Sequence, residues 1–229
     1  MTEVRFRMKI VGISSSPRGR KSRTLALVKG VLDGAREKGA FVELINIGAL
    51  SIGFCDACEI CNRNGTCHIP DDFSGVLEQV READGVVLGS PVYVDNVSAQ
   101  MKAFIDRMAD AIHYQVLAGN YGCAVATTWE SGGDEVCRYL NHVLNYLGAV
   151  SVGSLSVILG ERPDLPPESL QDAKLLGATL YESIRTSFHD PVQEEWIAEN
   201  REFFGEIVKK NRKYRPDEYN LWVNQGWIR

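Results

Sequence analysis

Apolar positions along this chain follow two rhythms in alternation. Residues 8–14 (MKIVGIS), 41–47 and 85–89 (GVVLG) are short runs with few polar interruptions, the pattern of strands covered on both faces. Between them, apolar residues recur at every third or fourth position. Leu25, Val28, Leu32 and Ala35 form one stripe, and Phe73, Val76, Leu77 and Val80 form a second with Asp71 as its cap. Met101, Phe104, Ile105, Met108 and Ile112 form a third, in a helix starting near Ser98. Such stripes predict helices that bury one face. Residues 121–127 and a stretch within 149–159 add two strands, separated by a helix carrying Val136, Leu140, Val143, Leu144 and Leu147.

Five strands alternating with helices predict an α/β fold, a doubly wound parallel sheet. Right-handed crossovers with one reversal of winding give the flavodoxin-like order 2-1-3-4-5, with ligands beyond the carboxyl ends of the strands. Four unusual loops follow strands and therefore converge on that edge: the serine-rich loop from Ser14, a cysteine-rich loop, SPVYVDN from Ser90 and TTWESGGDE from Thr127. Beyond Gly160 the texture changes to a proline-rich connector over 162–167 and helices over 168–187 and 193–213. The second of these turns Trp196, Asn200, Phe203, Phe204, Ile207 and Val208 inward. Residues 1–187 read as one domain, and 188–229 as a helical, aromatic extension that is not an independent domain. The aromatics of the tail, DEYNLWVNQGWIR, either seal the domain's own flank or embrace a second subunit. A homo-oligomer, dimer or tetramer, is expected, because an exposed aromatic patch is a liability on a monomer.

A formal charge of −5 over 229 residues argues against nucleic-acid or membrane-surface binding. No apolar stretch is long enough to span a bilayer, and MTEVRFRMKIVGIS lacks the layout of a signal peptide. With its unpaired thiols, the chain reads as soluble and cytoplasmic.

Four of the six cysteines crowd into CDACEICNRNGTC: Cys55, Cys58, Cys61 and Cys67. The spacing C-x₂-C-x₂-C-x₅-C lets several thiolates reach one point, which suits a 4Fe–4S cluster. Structural zinc more often pairs two knuckles a dozen or more residues apart, and zinc or unliganded thiols are the competing readings. Cys123 and Cys137 fall in a predicted strand and helix and read as core. His68 reads as a solvated loop residue, and His113 and His142 as surface or packing histidines.

The first loop, SSSPRGRKSRT, combines hydroxyls, a glycine, cations and a helix N-terminus, which together favour a phosphate group. It lacks both the Walker A ending and G-x-G-x-x-G, so a single terminal phosphate suits it better than a dinucleotide. An ordinary solvated loop with Ser22 as a helix cap is the alternative.

Taken together, SSSPRGRKSRT, CDACEICNRNGTCHIPDD and SPVYVDNVSAQMKAFIDR resemble the iron–sulfur flavoproteins of the NADPH-dependent FMN reductase family. The resemblance implies FMN with its phosphate in the first loop, at Ser14, Ser16, Arg18, Ser22 and Thr24. It implies an isoalloxazine ring lined by Pro91, Val92, Tyr93 and Asn96, with Thr128 and Trp129 from a third loop that corresponds more loosely. It further implies a 4Fe–4S cluster on Cys55, Cys58, Cys61 and Cys67. Electrons would then pass from a ferredoxin-type donor through the cluster to FMN and on to a small-molecule acceptor. The alternative is a cluster-free reductase of FMN or quinones that draws on NAD(P)H. Two residues depart from the family pattern: Arg23, where relatives carry a small or amide residue, and Trp129, where they often carry glycine.

Overall fold

The computed structural model describes residues 7–228. Strand β1 (Lys9–Ser14) sits inside the sheet because Ile10, Val11 and Ile13 find apolar partners on both faces. It pairs in parallel with β2 (Phe41–Asn46) on one side and β3 (Gly85–Pro91) on the other. Strands β4 (Tyr121–Thr128) and β5 (Val150–Ile158) continue beyond β3, giving the all-parallel order β2-β1-β3-β4-β5. This is the predicted flavodoxin-like sheet. Every residue of β3 is buried, whereas β2 and β5 at the edges are only partly covered.

Alternate residues of each strand feed two separate cores, as the two-residue period of a strand requires. Val11, Ile13, Val86, Leu88, Ala124 and Ala126 pack with α3 (Phe73–Arg81), α4 (Ala99–Asp106), α5 (Ala109–His113) and α6 (Gly133–Tyr146). Ile10, Val87, Cys123 and Val125 face α1 (Arg23–Lys38) and α7 (Pro167–Thr186). The last two helices touch through their backbones. A Cβ on Gly34 would lie 2.0 Å from the Lys174 carbonyl oxygen, and one on Gly177 would lie 1.8 Å from that of Val31.

Several boundaries differ from the sequence reading. Asp72, not Asp71, occupies the N-cap position of α3, although the Asp71 carboxylate accepts the Phe73 N–H at 3.1 Å. The helix expected from Ser98 through Ile112 is broken at Arg107 and Met108 into α4 and α5. Helix α8 (Pro191–Asn211) begins two residues early, because Asp190 caps it by accepting from the N–H groups of Val192 and Gln193. Its inward residues are Ile197, Gly205 and Val208, whereas Phe203 is 62% exposed. The tail folds as a further helix, α9 (Pro216–Asn224), whose Trp222 is fully buried in a small core with Val208 and Ile228. Helix α9 packs on α2 (Cys61–Asn64), the single helical turn of the cysteine loop. Among the described residues no helix is long and apolar enough to cross a membrane.

Candidate functional site

A cleft opens at the carboxyl edge of the sheet, where the loops after β1, β3 and β4 meet. Ser16, Arg18 and Thr24 contribute from the first loop and helix turn, Pro91, Val92 and Tyr93 from the second, Thr128 and Trp129 from the third. Behind the wall, buried hydroxyls lock the loops together. The Ser98 hydroxyl donates to Ser15 Oγ at 2.8 Å, the Ser98 N–H donates to Ser90 Oγ at 2.9 Å, and Thr24 and Thr127 share a hydroxyl bond of 2.6 Å. Ser22 caps α1 by accepting the Leu25 N–H at 2.9 Å, which leaves the first turn of that helix facing the cleft with its positive dipole end. Tyr93 and Trp129 are largely exposed and stand at the rim.

Three of the expected residues do not line the cleft. Ser14 is buried behind it, its hydroxyl oxygen without a partner. The Ser22 oxygen is committed to the cap. Asn96 accepts the Val97 N–H at 2.8 Å and closes a tight turn with Tyr93, in which Val94 (φ 52) and Asp95 (φ 56) are both left-handed. Three further residues do line it: Arg23, Thr127 and Leu159. The Arg23 guanidinium is tied to the carbonyls of Arg162 and Pro163, at 3.3 and 3.0 Å. Thr127 was legible as the end of a strand and the first residue of the third loop. Leu159 had no signal, since it enters from the far edge of the sheet.

The cysteine loop leaves the sheet after β2 and is clamped at its base. Arg107, with no side-chain exposure, donates to both Asp71 oxygens (2.7 and 3.1 Å) and to the Gly53 carbonyl (3.1 Å). The Gly53 N–H donates back to Asp71 at 2.7 Å, and the Ser51 N–H to Asp72 at 2.7 Å. Burial works against the Asp71 carboxylate, but these donors outweigh it and hold its pKa below the usual value. Within the loop, Ala57 (φ 55) and Glu59 (φ 60) are left-handed on either side of Cys58, and Ile60 returns to the right-handed region. Alternation of this kind turns successive N–H groups into a concavity that suits an anion, as around many iron–sulfur centres.

The thiols divide into two sets. Cys61 is raised by burial first and then by the charges of Asp110, Cys67 and Cys55. Cys58 instead sits 3.2 Å from His68 Nδ1, and His68 Nε2 lies 3.3 Å from Asp56. The Ile60 N–H favours the Cys58 thiolate, but desolvation and Asp56 prevail and raise the thiol. Among the described residues, Asp56, Cys58 and His68 form the only group of three such donors within 4.8 Å. His68 is exposed, as its reading as a solvated loop residue expects, and is also engaged by Cys58 and Asp56 within the loop. The four sulfurs are not gathered at one point among the described residues; the donors that do meet are Asp56, Cys58 and His68.

His113 also has a partner that its helix does not reveal. It meets the buried Glu218 at 3.1 Å, and Arg215 lies 3.6 Å from the same carboxylate. Cys123 and Cys137 are core, as expected, and burial pushes the Cys137 thiol up to about 12.

Comparison with known proteins agrees with this geometry. The family model for NADPH-dependent FMN reductases matches residues 8–164. An iron–sulfur flavoprotein of Archaeoglobus fulgidus is 33% identical over 96% of this chain and 100% of its own. One from Methanocaldococcus jannaschii is 41% identical over 56% of this chain and 66% of its own. Among solved structures, an archaeal flavodoxin superposes with a TM-score of 0.53 at 18% identity, covering 78% of this chain and 99% of that one. The cleft at the carboxyl edge, the cysteine loop and these matches place the chain in the NADPH-dependent FMN reductase family, among its iron–sulfur flavoproteins, as a flavin-dependent oxidoreductase.

Proposed function

We propose that this protein is an FMN-dependent reductase whose flavin occupies the cleft at the carboxyl edge and is reduced there directly by NAD(P)H. The observation that carries this reading is the convergence of the capped N-terminus of α1, Ser16 and Arg18 with the 91–93 and 127–129 loops. Bound FMN supplies one- and two-electron chemistry, and the protein supplies position and electrostatics. Ser16, Arg18, Thr24 and the free N–H groups of α1 would hold the phosphate. The backbone of Pro91 to Tyr93 would run along the ring. Tyr93 and Trp129 would flank its open side, where a nicotinamide or a small acceptor approaches. No acid–base pair of the protein is required.

A second reading is favoured by the cysteine spacing, the left-handed residues around Cys58 and the names of the relatives. Here Cys55, Cys58, Cys61 and Cys67 hold a 4Fe–4S cluster, a one-electron centre, and a ferredoxin-type protein is the donor. Homo-oligomerisation belongs to this same proposal, since the exposed Phe54 of the cysteine loop and Val94 and Trp129 at the cleft offer apolar contact to a second copy.

The deciding experiment measures iron, acid-labile sulfide, zinc and flavin per chain on protein purified without oxygen, followed by NADPH oxidation. FMN without iron, with rapid NADPH oxidation, supports the reductase. About four irons with sulfide beside one FMN supports the relay. Protein that takes up no flavin overturns both.

A further inference from the structure

Two guanidinium groups, those of Arg18 and Arg23, stand on the wall of the cleft. The rest of the wall is hydroxyl, aromatic and aliphatic, with no carboxylate and no side-chain amide. Three of its hydroxyls are already engaged within the protein: Thr24 and Thr127 bond one another at 2.6 Å, and Thr128 donates to the Ser131 carbonyl. Among the described residues neither arginine is paired with a carboxylate. In a chain of formal charge −5, two cations without counter-ions at one opening draw an anion to it.

The two arginines are held differently. Arg18 is exposed, and its bond to the loop runs through the backbone, whose N–H donates to Ser16 Oγ at 3.4 Å. Arg23 is half-buried and opens α1 directly after its Ser22 cap. Its Nη1 donates to the carbonyls of Arg162 and Pro163 at 3.3 and 3.0 Å. Those carbonyls belong to the connector after β5, 139 and 140 residues further along the chain. This tether fixes a long, rotamer-rich side chain at the cleft before any ligand arrives, which lowers the entropy cost of binding through it. The Arg23 Nε and Nη2 groups have no partner among the described residues. A guanidinium presents such donors as a planar fork that matches the oxygens of a phosphate.

Charge then selects among ligands. A terminal phosphate monoester carries about 1.5–2 negative charges at neutral pH, which two guanidinium groups match. A flavin without its phosphate carries no such charge and would leave both cations uncompensated. Arg20 and Lys21, the other cations of the first loop, are exposed and lie off the wall, so the selection falls to Arg18 and Arg23.

We propose that Arg23 is a specificity-determining residue of this cleft: tethered to the 162–163 connector, it joins Arg18 on the FMN phosphate and makes the protein select FMN over riboflavin. The proposal rests on the reading of the cleft as the flavin site. The test titrates FMN and riboflavin separately into flavin-free full-length protein, followed by flavin fluorescence, and repeats both with Arg23→Gln and Arg23→Lys. Wild type should bind FMN far more tightly than riboflavin. Arg23→Gln removes the charge and should weaken FMN at least about tenfold, the worth of one charge-assisted hydrogen bond, while riboflavin binding stays unchanged. Arg23→Lys restores the charge without the fork and should recover part of the loss. An equal loss for both flavins in Arg23→Gln would assign Arg23 a structural role, and unchanged FMN affinity would remove it from the phosphate. Either result overturns the proposal and leaves the cleft as the flavin site. Wild-type protein that binds neither flavin overturns the proposal together with the reading beneath it.

Discussion

Arg107 stands at the base of the cysteine loop, and its guanidinium holds strands of chain that are distant in sequence. It spans Gly53 and Asp71, and its flat face lies 4.4 Å from the Phe73 ring centre. Replacement by methionine would strand a nearly buried carboxylate. Arg107→Met should therefore lower stability by about 3 kcal/mol at neutral pH, read from urea unfolding. Asp71 is held below its ordinary pKa, so its contribution is complete above the unfolded value near 3.9 and disappears as pH falls through the lower folded value. The gap between wild type and variant should narrow in acid. A gap that widened there would assign the effect to packing instead. Val94 poses the opposite case: a β-branched residue, 99% exposed, held left-handed at φ 52. Nothing on its side chain compensates for that conformation. Val94→Asn should raise stability by about 1 kcal/mol, visible as a melting temperature about 2–4 °C higher.

Among the elements, α5 and α9 depend on one another through charge. Asp110 on α5 is pushed up to about 6, first by burial and then by Glu218 on α9, against weaker help from Arg81, His113 and Arg215. A raised carboxyl stabilises the fold while it keeps its proton, and that stabilisation is lost as pH rises through about 6. Asp110→Asn should accordingly melt higher than wild type at pH 8, with the advantage fading below pH 6. An equal gain at both pH values would show that ionisation is not the cause. Periodicity predicted the strands and the first helices of the fold because a parallel sheet buried on both faces writes itself into runs and stripes. The ion pair of His113 with Glu218 spans 105 residues and Arg107 with Asp71 spans 36, and no local pattern encodes either. Helix α9 was legible in principle. Pro216 at its first position, followed by Asp217 and Glu218 in its first turn, is a start signal that the aromatic texture of the tail obscured.

At the scale of the whole molecule, the cleft rests on an approach made far from it. Helix α1 presents its first turn to the cleft, while its middle lies in backbone contact with α7 at Gly34 and Gly177. Gly177→Ala places a methyl group into the Val31 carbonyl and must push the helices apart. Stability should fall by about 1–3 kcal/mol, and FMN affinity, followed by flavin fluorescence, should fall with it. Unchanged affinity would mean that the cleft tolerates movement of α1. The motif loops in the sequence identified most of the cleft wall, because loops after parallel strands have only one edge to meet at. They did not reveal Leu159, which arrives from another strand end, nor that Cys58 would turn to His68, which depends on the left-handed backbone at Ala57 and Glu59.

The packing of α9 on the cysteine turn also has a consequence in time. A chain made from its N-terminus folds its early segments while later ones are still in the ribosome. Cys55 to Cys67 are synthesised early, and the helix that covers their turn follows much later in the chain. Until residues 216–224 emerge, that turn lacks its covering helix, whereas Cys55 and Cys58 stay exposed even after the helix has packed. Helix α9 thus covers one turn of the loop late and leaves its first two thiols open throughout.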